Sequence, residues 1–113
     1  MFFMTPAGQV SLVMKTLADP TRRAVFERIA REGEIAATAL VRGSRVSQPA
    51  VSQHLRALRD AGLVTERREG RHIHYRAAPK GLAPLIDWLT HYQTFWRERF
   101  ENLERLLKEE SDE

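Results

Sequence analysis

The sequence predicts a mainly α-helical chain carrying one small β-hairpin, an α+β fold organised as a single domain over residues 1–113. Three observations predict it. Apolar residues recur every three or four positions, with Asp19-Pro20 and Ser47-Gln48-Pro49 as helix starts and Gly33, Gly43 and Gly62 as stops. Residues 64–77 switch to two short runs around Gly70-Arg71, a hairpin signal. From Leu82 to Leu107 an unbroken apolar stripe runs for about seven helical turns.

In order, Val10, Val13, Met14 and Leu17 set a first helix over 8–18. Asp19 suits the N-cap of a second, because its carboxylate accepts orphan N–H groups, and Pro20 suits its first position. Val25, Phe26, Ile29 and Ala30 give that helix its buried stripe, and Gly33 ends it. A short third helix covers 37–42 and stops at Gly43. Ser47 caps a fourth, and Pro49 is tolerated there because the first turn has no intrahelical partner for its missing N–H. Val51, Leu55 and Leu58 face inward on it, whereas Gln53, Arg56 and Asp60 lie opposite, beside Pro49. Strands over 64–69 and 72–77 flank the turn. The last helix, about 82–108, presents Leu82, Leu85, Ile86, Leu89, Tyr92, Trp96, Phe100, Leu103, Leu106 and Leu107, widened by Trp88 and Phe95. The terminal Lys-Glu-Glu-Ser-Asp-Glu is expected to fray.

Composition excludes several function classes. The chain has no cysteine, so disulfides, thiolate metal sites and a cysteine nucleophile are absent. No apolar run reaches the roughly 20 residues that cross a bilayer, and Met1-Phe2-Phe3-Met4 lacks the basic flank and length of a signal peptide. The expectation is a cytoplasmic protein without a membrane partner. The net charge is only +3, but its distribution is uneven. Residues 1–43 hold six Lys/Arg and four Asp/Glu, residues 44–80 hold eight and three, and residues 81–113 hold four and eight. The middle segment is therefore the basic one, and the acidic C-terminal helix should face away from phosphate.

That basic segment has the chemistry of a DNA reader. Ser47, Ala50 and Ser52 are small enough at the helix start to let backbone approach backbone, and a helix N-terminus tolerates phosphate. Gln48 and Gln53 can offer a paired donor and acceptor to adenine, and Arg56 can address guanine or phosphate. Arg67, Arg68, Arg71 and Arg76 supply charge on the hairpin for the DNA backbone or an adjacent minor groove. With the short third helix as brace, the arrangement is a winged helix-turn-helix. The candidate DNA-binding set is Ser47, Gln48, Pro49, Ser52, Gln53, Arg56, Arg67, Arg68, Arg71 and His72, and the partner a double-stranded operator. A chain this short completes its core by pairing, so a homodimer is expected through the N- and C-terminal helices. Val10, Val13, Leu85, Leu89, Tyr92, Trp96, Phe100 and Leu103 are its candidate interface.

On these residues the chain resembles the ArsR/SmtB family of bacterial winged-helix repressors. The carrying stretches are Leu17-Ala18-Asp19-Pro20-Thr21-Arg22-Arg23, Ser47-Gln48-Pro49-Ala50-Val51-Ser52-Gln53-His54-Leu55, Ala61-Gly62-Leu63-Val64 and Arg68-Glu69-Gly70-Arg71-His72-Ile73-His74-Tyr75. The likeness spans about residues 8–107. It implies a homodimer on an operator of two half-sites, repression relieved by a signal, and a fourth helix that enters the major groove. Metal-sensing members place two cysteines where this chain has Ala36 and Thr38. Others use histidine and carboxylate clusters on the last helix, which here offers only Asp87 and His91. The resemblance is therefore to the non-metal, cysteine-free branch, whose members often control their own operon.

Other readings rest on less. His72 and His74 share one strand face, but two ligands fall short of the three or four a zinc site needs, so no metal or cofactor is expected. His54 flanks the buried stripe and reads as a hydrogen-bonded structural residue. No nucleophile and base stand at catalytic spacing, so no enzyme activity is expected. The alternatives are a ligand- or metal-responsive repressor of the same fold, with an inducer the sequence does not name, and a winged-helix protein-interaction module that never touches DNA.

Overall fold

The computed structural model describes residues 6–111. Five helices and three strands follow in the order α1 (Pro6–Ala18), α2 (Pro20–Glu32), β1 (Glu34–Ala36), α3 (Ala37–Arg42), α4 (Gln48–Asp60), β2 (Val64–Glu69), β3 (His72–Ala77) and α5 (Ala83–Ser111). The apolar tetrad at residues 1–4 lies outside the described residues, as do Asp112 and Glu113.

Local chemistry sets most boundaries. Asp19 caps α2 by accepting the Arg22 backbone N–H at 3.0 Å, ahead of Pro20. The end of α4 is a Schellman motif: the Leu63 N–H donates to the Leu58 carbonyl and the Gly62 N–H to the Arg59 carbonyl, both at 2.9 Å. Gly62 supplies the left-handed φ of +76° that this reversal needs. Leu58 and Leu63 close the motif inside the core. At the hairpin tip Gly70 has φ +60° and Arg71 does not, the pattern of a type II′ two-residue turn.

The sheet has three antiparallel strands in the order β1-β3-β2, not the two of the sequence expectation. Ile35 pairs with Tyr75, and Tyr75 with Glu66 on its other side. β1 carries a single core residue, Ile35, and is defined by its pairing with β3 rather than by any local pattern. One sheet face, with Ile35, Val64 and Tyr75, joins Val25, Phe26 and Ile29 of α2, Leu40 of α3 and Val51, Leu55 and Leu58 of α4 in a continuous core. The expected α2 stripe is narrower by one residue, since Ala30 is exposed. Val13, expected at a dimer interface, is 2% exposed and belongs to this core. It sits on the inward face of α1, where the chain's own side chains cover it.

α5 leaves the globule. It is helical to Ser111, so the helix extends into the acidic tail. Its 29 residues include none that is buried. The radius of gyration is 19.3 Å and the longest extent 69 Å, against about 13 Å for a compact chain of this size. The difference is the projecting helix, about 43 Å long at 1.5 Å per residue. α1 packs on its first turns, and Leu82 and Leu85 rest against the core.

Candidate nucleic-acid interface

α4 is amphipathic in a way that fixes what it offers to solvent. Val51, Leu55 and Leu58 are buried. Gln48, Pro49, Ser52, Gln53 and Arg56 form one exposed strip on the other side. Among the described residues no side chain makes a hydrogen bond or ion pair to Gln48, Ser52, Gln53 or Arg56. Their polar groups are therefore free for an outside partner. Ser47 begins the strip as N-cap, its hydroxyl accepting the Ala50 N–H at 3.4 Å, a long contact.

The flank of α4 is tied down. Arg59 pairs with Glu66 of β2 at 3.4 Å and with Asp60 at 3.5 Å. The Tyr75 hydroxyl donates to Glu66 at 3.4 Å. Burial first, and then the adjacent Glu66 charge, push the Tyr75 phenol above its ordinary pKa. These contacts hold the base of the hairpin against α4, so helix and wing present one surface.

The wing arginines divide into two kinds. Arg68 and Arg71 make no hydrogen bond or ion pair among the described residues, and His72 is equally open. Arg67 is engaged. It donates to Glu34 of β1 at 3.0 Å and to Glu69 at 3.1 Å, on the sheet face turned away from the core. The Arg67 hydrogen bond holds Glu34 below the usual carboxylate range. Arg67 is thus paired with carboxylates in the unbound chain, because β1, which the sequence did not reveal, brings Glu34 beside it. His74 on the same face lies 3.7 Å from Glu69. Among the described residues no group of three or more His, Asp and Glu is placed to hold a metal ion. His54 accepts from the Arg22 guanidinium at 3.4 Å and is half-buried, the structural position expected of it.

The sequence did not single out Arg42. It ends α3, is exposed and unpaired among the described residues, and lines a cavity of about 300 Å³ between α3 and α4 together with Gln48 and Ser52. No helix among the described residues is long and apolar enough to cross a membrane.

The candidate interface residues on α5 are open. Leu89, Tyr92, Trp96, Phe100 and Leu103 are 40–61% exposed. Val10 and Leu85 are half-buried. Aromatic rings touch along the helix, Trp88 tilted against Tyr92 at 5.1 Å and Phe95 edge-to-face with Trp96 at 5.3 Å between centroids.

Comparison with known proteins places this surface in context. A family model described as a helix-turn-helix domain matches residues 17–67. The HTH-type transcriptional regulator Rv2034 of Mycobacterium tuberculosis is 41% identical over 99 residues, covering 88% of this chain and 89% of that one. The biofilm growth-associated repressor of Agrobacterium fabrum is 40% identical over 83 residues, covering 74% and 70%. The crystal structure of an ArsR family transcriptional regulator superposes with a TM-score of 0.73 at 25% identity, over 84% of this chain and 97% of that one.

Proposed function

The chain belongs to the ArsR/SmtB family of winged-helix, DNA-binding transcriptional repressors, and we propose that it acts as a homodimer whose two α4 helices read adjacent major grooves of a near-palindromic operator. The observation that carries this reading is the unpaired polar strip of α4 standing over a buried apolar face. Gln48, Ser52, Gln53 and Arg56 read base edges, while Ser47 and Pro49 bring the helix start close to the DNA. Arg68, Arg71 and His72 meet the flanking backbone, and Arg67 braces the wing through Glu34. α1 and α5 pair with their copies in the partner, through Val10, Leu85, Leu89, Tyr92, Trp96, Phe100 and Leu103. A two-fold dimer then sets the half-sites about 34–36 Å apart, one helical turn. Repression at an operator places the protein's work in the cytoplasm.

Selection of bound duplex from a random pool, followed by titration at two salt concentrations, tests the proposal. Gln53→Ala should cost about 1–3 kcal/mol and relax one base position, whereas Arg71→Ala should weaken all sequences alike and lower the salt slope by about 1. Absence of salt-dependent affinity for any duplex at micromolar protein would replace this reading with that of a protein-interaction module.

A further inference from the structure

We propose that a third surface, the groove between α2 and the turn joining α3 to α4, grips an operator phosphate beside the reader helix. The inference rests on the DNA-binding reading above and extends it to residues that neither the helix strip nor the wing contains.

The groove is a cavity of about 460 Å³, within the range that holds a small organic ligand such as one sugar–phosphate unit. Arg28 and Arg31 enter it from one face of α2, three residues apart, with the hydroxyl residues Thr21 and Ser44 also on its lining. No carboxylate lines it. Neither arginine makes an ion pair among the described residues. Arg28 reaches the Leu40 carbonyl at 3.5 Å, a long contact that engages one of its five donors. Two unneutralised guanidiniums beside hydroxyls form an anion-binding chemistry, and the guanidinium fork suits phosphate oxygens. Val25, Leu40 and Val46 give the groove an apolar floor against which a deoxyribose can rest.

Gly43 lies directly against the Arg28 guanidinium. Its φ of −85° suits any residue, so no backbone strain calls for glycine there. A Cβ at that position would run into the Arg28 guanidinium. The glycine leaves room for the arginine to lie across the end of α3.

Location selects DNA as the source of the phosphate. Ser44 is three residues before the N-cap Ser47, hence within about 10 Å of the start of α4. A helix whose start enters a major groove about 12 Å wide carries the residues just upstream of it past one phosphate wall.

The test uses the full-length protein and its selected operator. Counterion release gives about 0.9 in log–log salt slope per phosphate contact, so Arg31→Gln should weaken binding about fifteenfold at 50 mM salt and about fourfold at 200 mM. The loss should be equal on operator and random duplex. Arg28→Gln removes the second guanidinium charge, so it should also weaken both duplexes and lower the salt slope while circular dichroism stays unchanged. If both variants keep the wild-type slope while Arg71→Ala lowers it, this groove does not touch DNA and the reader assignment stands. If no duplex binds at all, the DNA-binding reading itself has failed. Saturable binding of thymidine monophosphate that Arg31→Gln abolishes, with an unchanged duplex slope, would assign the groove to a free nucleotide and overturn the proposal.

Discussion

Trp96 projects from the middle of α5 with 54% of its surface in water. A tryptophan side chain presents about 250 Å², so roughly 130 Å² remain to be covered by a partner. At about 25 cal/mol per Å² this is about 3 kcal/mol per protomer. A two-fold interface contains the residue twice, because the same patch serves both subunits, which gives about 6 kcal/mol as an upper bound. If the partner covers only half of the exposed area, about 3 kcal/mol remains. Trp96→Ala should then raise the dimer dissociation constant about a hundredfold, at 1.4 kcal/mol per decade. Sedimentation equilibrium over a wide concentration range measures it, with Glu101→Ala on the opposite, polar arc of α5 as a control expected to change nothing. On DNA the same variant should lose the cooperative gain from a second half-site and keep its affinity for a single one. A dimer constant within twofold of wild type for Trp96→Ala would refute the assignment of this stripe to self-association.

Two further outcomes follow from local geometry. Gly62→Ala places a Cβ in open space but at φ +76°, so it should cost about 1–2 kcal/mol through backbone strain alone, read as a shift of the urea midpoint with unchanged slope. Glu34 titrates below its unfolded value of 4.5 because Arg67 stabilises the carboxylate. The tie between β1 and the wing is therefore fully present above pH 4.5 and is lost as pH falls through the lower folded value. Carboxyl NMR should show that depressed midpoint, and Arg67→Gln should return it toward 4.5; an unmoved midpoint would mean the pair does not persist in solution.

Much of this fold was legible because it is locally specified. Asp19-Pro20, Ser47 with Pro49, and Gly62 each have one conformational use, and the structure uses each that way. The hairpin ends fall where Gly70 places them. What was not legible depends on parts of the chain far apart in sequence. Glu34-Ile35-Ala36 has a single large apolar residue, too little for a period-two pattern, and becomes a strand only when β3 arrives some forty residues later. The fate of Arg67 followed from that strand. Val13 and Trp96 illustrate a second limit. Helical periodicity marks both as apolar-face residues, yet Val13 is covered by its own chain and Trp96 keeps 54% of its surface in water. Periodicity reports which side of a helix avoids water, not which molecule covers it.

The segment 17–23 gains a physical role from the same geometry. Asp19 caps α2, Arg23 donates to the Leu17 carbonyl at 2.7 Å, and the Arg22 guanidinium spans from the Thr16 carbonyl at 3.5 Å to His54 of α4 at 3.4 Å. The last two contacts are long and individually weak. Together they tie the end of α1 to the middle of α4 through the start of α2. In the proposed dimer α1 lies at the subunit interface and α4 in the groove, so this junction fixes the angle at which each subunit presents its reader. Because the spacing of two readers on a rigid duplex tolerates little error, residues 19–23 sit on the path by which dimer geometry would become operator geometry.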